Sequence, residues 1–430
     1  MKLSRFILIV AFAALLLGAC AGFDLDEFAS ALEAENSTAE TAPAEADSTE
    51  SVSEAHDTAA ASDGSSAEPG DTGQSRMPEV TAPRGQVFPE SMTITVDTSR
   101  EITAEAVELG FRPSDVYFVD AEFGWVVGEG GAIARTRDGG DSWERVRATG
   151  LTADLQAVAF YDRRHGIVAG VDNTVGITVD GGETWNVEVL ERQTRIPEES
   201  FLYDFTTDGM PSRTNLLSAH AHGPETYLVA GDFGQVFLYT DGSWEERTIV
   251  TGQSVYGITS IPEGTILAAT GQGVADSFGL ERSAISDPAW ERIVDFKGPP
   301  ARGISLSENG RLLAGGYPLL GDSYGDSSMF AGDVLTIHAD AEFEIDRWAA
   351  GEIREDRAWV FQNPPFNRGI AEDGNGLTLL YSADGGDSWT GFNSRIDNGV
   401  ISAAMLEQGH AVAVLVTRES FQWQLHHLRW

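Results

Sequence analysis

TRDGGDSW at residues 136–143, TVDGGETW at 178–185 and SADGGDSW at 382–389 are one octad written three times. Degenerate copies stand at 240–244 (TDGSW) and 286–290 (SDPAW). Each copy ends one run of alternating apolar residues and starts another, which is the pattern of a β-hairpin turn. The aspartates of the octads and their remnants fall at 138, 180, 241, 287, 346 and 384, at intervals of 42, 61, 46, 59 and 38. A base period near 42 is that of a four-stranded propeller blade, and recurrence at such a period decides the architecture before any local detail. The two long intervals carry insertions, a charged, proline-bearing stretch at 191–213 and a Gly/Ser-rich stretch at 315–332.

The octad has a physical reading that needs no substrate. Its aspartate accepts hydrogen bonds from the N–H groups of its own turn. The glycines permit positive φ where the chain reverses. The Ser or Thr hydroxyl fixes the other side, and the tryptophan lays its ring on a neighbouring sheet with its N–H partnered. Asp138, Trp143, Asp180, Trp185, Asp241, Trp244, Asp287, Trp290, Asp384 and Trp389 are therefore read as structural turn residues.

In the first unit, strands are expected at 115–119, 125–128, 132–136 and 143–146, and the second repeats them at 156–161, 166–170, 174–178 and 185–190. Later units start near 215, 255, 302, 358 and 401, making seven. The seventh lacks room for an outer strand. The alternating segment MTITV at 92–96 is expected to supply it, so that no sheet edge stays open. The expected fold is all-β: a seven-bladed propeller of four-stranded antiparallel blades over residues 91–430, closed by an N-terminal strand.

Lys2 and Arg5 precede an apolar run at 6–17 that is too short to span a bilayer, followed by Gly18, Ala19 and Cys20. Residues 1–19 read as a lipoprotein signal peptide, and Leu17-Gly18-Ala19-Cys20 resembles the bacterial lipobox. Cys20 is the one cysteine of the chain, so no internal disulfide can form and lipidation explains the residue. Residues 20–90 read as a lipidated, disordered acidic linker, with sixteen acidic residues against Arg76 and Arg84. A flexible chain of that length spans roughly 45–50 Å. The expected location is extracytoplasmic, anchored to a bacterial membrane on the periplasmic side or at the cell surface.

Net charge is −39, from 67 acidic and 28 basic residues. That charge disfavours nucleic acid and anionic headgroups, leaving the lipid as the membrane attachment. Arg135, Arg137, Arg145, Arg147, Arg163 and Arg164 concentrate in the first two units and read as solvated strand faces. Asp322, Asp326 and Asp333 match no defined calcium loop. His220 with His222, and His426 with His427, lack the further ligands of a zinc site. No metal or cofactor is expected.

The octads resemble the Asp-box, or BNR repeat, of sialidases and related propellers. The longer stretch VYFVDAEFGWVVGEGGAIARTRDGGDSW at 116–143 is similar to the repeat of the photosystem II assembly factor family Ycf48, called Hcf136 in plants. The resemblance implies a seven-bladed propeller that binds and stabilises other proteins without catalysis. A monomeric scaffold or assembly factor for an envelope or membrane protein is expected. Its contacts are sought on the insertions, at Arg192, Arg195, Tyr203 and Phe205 and at Tyr317, Tyr324 and Phe330, because loops carry function and aromatic and arginine side chains dominate hot spots.

The alternative is a secreted sialidase-like glycosidase or a carbohydrate-binding propeller. That resemblance implies an Arg-Ile-Pro ahead of the first octad, two further arginines and a Tyr–Glu pair. Arg195-Ile196-Pro197 lies after the second octad instead, and Phe111-Arg112-Pro113 has the place without the isoleucine.

Overall fold

A computed structural model describes residues 94–430, apart from 199–202, 204–205, 212, 251–252, 261–263, 272–276, 298–300, 307–311, 317–347, 354–356, 363–375, 386–387 and 418–419. Cys20, the signal and linker segments, Phe205, Tyr317, Tyr324, Phe330, Asp322, Asp326, Asp333 and Asp346 lie outside the described residues. The described strands belong to one compact unit, Pro78–Trp430.

Two strands precede the first octad unit, β1 (Ile94–Val96) and β2 (Thr103–Val107). The first sheet is β3 (Pro113–Phe118), β4 (Gly124–Gly128), β5 (Ile133–Thr136) and β6 (Glu144–Val146). The second is β7 (Leu155–Phe160), β8 (Gly166–Gly170), β9 (Thr174–Thr178) and β10 (Asn186–Val189). The third holds β11 (Leu216–Gly223), β12 (Thr226–Gly231), β13 (Val236–Thr240) and β14 (Ser243–Glu246), and the fourth β15 (Ser254–Ser260), β16 (Thr265–Gly271), β17 (Ser277–Ala284) and β18 (Asp287–Lys297). Two strands of a fifth sheet are described, β19 (Ala301–Leu306) and β20 (Leu312–Gly316). The sixth has β21 (Trp348–Ile353), β22 (Ala358–Gln362), β23 (Thr378–Ser382) and β24 (Trp389–Phe392); the seventh has β25 (Asn398–Glu407), β26 (His410–Thr417) and β27 (Trp423–Arg429).

Within each sheet, consecutive strands pair antiparallel. The first strand of each sheet lies against the first strand of the next: β3 against β7, then β11, β15, β19, β21 and β25, with β25 against β3. Apolar side chains fill the spaces between successive sheets. Trp125 of the first sheet stacks on Phe160 of the second with ring centroids 3.5 Å apart. Val116, Phe118 and Val126 pack with Leu406, Val412, Val414 and Leu425 between the first and seventh.

Each first strand carries a register shift at the same place, after which stand Asp115, Ala157, Ser218, Gly257, Gly303, Ala350 and Ser402. Six of these residues are small, and Asp115 is the exception. The glycine that ends the second strand has a packing cause as well. A Cβ on Gly128, Gly170 or Gly231 would collide with the carbonyl oxygen of Arg112, Asp154 or Asn215, respectively. Only glycine admits that approach of backbone to backbone.

The structure corrects two expectations. The strand that completes the seventh sheet is β2, not 92–96: it pairs antiparallel with β27, Thr103 opposite Arg429 and Val107 opposite Leu425. β1 instead runs parallel along β24 as a fifth strand of the sixth sheet, Ile94 opposite Trp389. Alternation marks 92–96 as a strand but does not name its sheet. Buried Ile102, packed with Phe361, Leu379 and Leu415 between the sixth and seventh sheets, fixes where the chain crosses from one to the other. Arg429 then ties Glu105 of β2 at 3.2 Å.

Second, the sixth sheet starts at Trp348, ahead of the expected 358, because the segment read as its first strand is its second. The 240–244 copy is a hairpin turn of two residues. Asp241 and Gly242 both have positive φ, 52° and 79°, and Thr240 pairs with Ser243. That is the I′ geometry whose twist suits adjoining strands.

Candidate binding surface at the junction of the first and last sheets

The octads are self-contained. In the first, Thr136 Oγ1 donates to Asp138 Oδ1 at 2.7 Å, and the N–H groups of Ser142 and Gly140 donate to Asp138 Oδ1 and Thr136 Oγ1, each at 2.9 Å. The second repeats this with Thr178, Asp180, Thr184 and Gly182. The third repeats the Ser382, Asp384 and Ser388 bonds. Gly139 and Gly140 have φ of 74° and 94°. Bonds from Ser142 and Thr136 hold the Asp138 carboxyl below its ordinary value. The tryptophans pack backwards: Trp143 on the seventh sheet, Trp185 on the first, Trp244 on the second and Trp290 on the third. Trp185 and Trp290 donate their N–H to Gly182 O and Arg247 O. Those of Trp143 and Trp244 are buried without a partner among the described residues, contrary to expectation.

The described candidate contacts of the first insertion, Arg192, Arg195 and Tyr203, are engaged within the protein. Arg192 Nε donates to Thr194 O at 2.7 Å and Nη1 to Phe233 O at 3.0 Å, and burial lowers its pKa. Arg195 pairs with Asp208 at 2.6 Å, and Tyr203 Oη reaches the same carboxylate at 3.4 Å. Ile196 is buried, so Arg195-Ile196-Pro197 is a loop anchor here. Of the arginines concentrated in the first two units, Arg135, Arg137 and Arg163 end on carboxylates. Arg135 is buried between Glu144 and Glu183, and Arg163 binds Asp120 at 2.6 Å. Among the described residues, no group of three or more His, Cys, Asp or Glu is placed to hold a metal ion.

Where the first and seventh sheets meet, polar groups sequence reading missed come together. Asp115 Oδ2 accepts from Val158 N–H of β7 at 2.9 Å, and Ser402 Oγ of β25 donates to Asp115 Oδ1 at 2.5 Å. The residue keeps some exposure, yet its carboxyl group is enclosed, and burial pushes its pKa up to about 6 against those bonds. On the outer side, His427 Nε2 donates to Gly140 O of the first octad at 3.0 Å. Its Nδ1 is then the acceptor for His410 Nε2–H at 2.8 Å. His220, by contrast, is driven down to about 4 by burial and then by His222, which bonds Ser260 Oγ through Nδ1.

Beside this junction, the segment from β2 to β3 and the residues entering β27 enclose a cleft of about 450 Å³. Arg112 lies over the Trp423 ring, 5.2 Å from its centroid, and Arg145 over Phe111 at 5.0 Å. Phe111-Arg112-Pro113 gave the one sequence signal here. Trp423 and Phe421 gave none.

No family model matches the chain, and no curated protein matches its sequence. Solved structures do match. YCF48 bound to D1 peptide is 15% identical with a TM-score of 0.53, covering 78% of this chain and 99% of that one. U3-55K gives 0.53 at 8% identity, covering 77% and 98%. The propeller domain of Cps50 (Swd1) from Myceliophteria thermophila gives 0.50 at 11%, covering 76% and 99%.

The chain folds as a β-propeller. At these identities the likeness is one of fold, and the propeller's function rests on its own residues.

Proposed function

We propose that this is a seven-bladed, non-catalytic propeller that serves as a protein-binding scaffold or assembly factor, closed between β2 and β27. A lipid on Cys20 holds it on the extracytoplasmic side of a bacterial membrane, with residues 20–90 as spacer. Its partner is an envelope or membrane protein. The observation that carries this reading is the use made of the ionisable groups. Asp115, His427, Arg135 and Arg247 all reach across to an adjacent sheet and hold it, while Arg195 and Tyr203 hold their own loop. These ionisable groups, among the described residues, are engaged in architecture. A propeller of the same fold bound to a peptide, YCF48 with D1 peptide, supports the reading by analogy of fold alone.

The test is cross-linking capture from the protein's own envelope, beside a Cys20→Ala variant. The native chain is expected in the membrane fraction with one defined membrane-protein partner, and Cys20→Ala in the soluble fraction. Hydrolysis of a sialoside by the purified protein would contradict the scaffold reading and favour the glycan-active alternative.

A further inference from the structure

Most arginines described in this acidic chain end on a carboxylate, as Arg135, Arg163, Arg213, Arg282 and Arg429 do. Arg112, which lines the cleft, and Arg145, over the lining Phe111, do not. Arg112 lies on Trp423 with its Nε buried and unpartnered, and Arg145 lies on Phe111 with Nη1 toward Gly110 O at 3.5 Å. An aromatic face orients a guanidinium but leaves its N–H edge free for an anion.

Two further features define the occupant. Phe421 is held at φ 51° and is 59% exposed. A non-glycine residue in that region is strained, and such strain clusters at ligand clamps. Here it presents an aromatic ring at the rim. Glu108, bonded by Gln424 Nε2 at 3.2 Å, also lines the cleft and repels a second carboxylate. A net charge of −39 turns polyanionic surfaces away.

We propose that this cleft docks a partner peptide presenting one carboxylate beside an apolar side chain. The carboxylate binds Arg112, and the apolar group packs on Phe421 and Trp423. The inference rests on the protein-binding reading above and specifies a site for it.

The experiment titrates the full chain into two fluorescein-labelled amidated peptides, Gly-Gly-Phe-Asp-Gly-Gly and its Phe-Asn twin, read by anisotropy. The Asp peptide is expected to bind about tenfold tighter, the value of one charge-assisted contact. Arg112→Gln abolishes that preference. Phe421→Gly relieves the positive φ, so it weakens binding several-fold without lowering the melting temperature. Equal binding of the two peptides, no binding of either, or binding unchanged in both variants overturns the proposal. Photo-cross-linking from a Phe421→p-benzoylphenylalanine chain into its own residues 20–90, or into a second copy, also overturns the assignment to a partner. If peptide binding fails while envelope capture still yields its partner, this cleft is wrong and the scaffold reading stands. If both fail, the scaffold reading falls too.

Discussion

Asp138, Asp180 and Asp384 are held alike, each taking a hydroxyl and an N–H from its own turn. Because every partner lies within four residues, the motif was legible in the sequence. Asp138→Ala removes these acceptors and should cost about 1–2 kcal/mol in denaturant unfolding. Asp115 was not legible, since its partners Val158 and Ser402 lie 43 and 287 residues away. Its folded-state value near 6 stands above the ordinary 3.8. The folded protein therefore keeps that proton when the unfolded chain has lost it. Its contribution to stability is full below about pH 3.8, declines as pH rises towards 6, and is absent above. Asp115→Asn should erase this component. Relative to the native chain, the variant loses on the order of 2 kcal/mol between pH 7 and pH 4, measured by urea midpoints. Parallel curves would contradict the assignment.

At the scale of elements, one device recurs from sheet to sheet. Arg135 of the first sheet donates to Gly181 O in the second octad, and Arg247, after the third sheet, to Ala284 O in the fourth sheet's turn. His427 of the seventh donates to Gly140 O in the first. Only the last uses a histidine. Burial and then His427 lower the value of His410 below 6.5, so the stability His410 contributes is full above pH 6.5 and falls as pH drops. Asp141, Glu407 and Arg429 act on the pair, and Glu105 stands opposite His427 in register. The protection of β2 and β27 amides against hydrogen exchange, relative to their intrinsic rates, should therefore fall between pH 7 and 5, and His410→Gln should reduce that fall. The hairpins were readable from alternation and turn residues. Which sheet an outer strand joins was not, because alternation in β1 does not name its sheet and the anchor at Ile102 is a tertiary fact.

For the whole molecule, the octads gave the period but not its seam. Trp143 packs on the seventh sheet as Trp185 packs on the first, so the first sheet's tryptophan depends on the chain's end being in place. Trp143→Ala should cost about 2–3 kcal/mol, less than a fully buried aromatic because the ring is partly buried. The loss should fall in the same cooperative transition as Trp185→Ala, read by calorimetry. Two separate transitions would mean sheets that do not share one ring. Partner chemistry was the least legible part, since Arg112 and Trp423 are brought together only by the pairing of β2 with β27.

That pairing is the account's central claim, and a cross-link tests it most directly. Thr103 and Arg429 are opposite each other in register. Thr103→Cys with Arg429→Cys, in a Cys20→Ala chain, should oxidise to an intramolecular disulfide in monomeric protein and raise the melting temperature. Thr95→Cys with Arg429→Cys should not. Failure of the first pair to close, or closure only between molecules, would contradict the account.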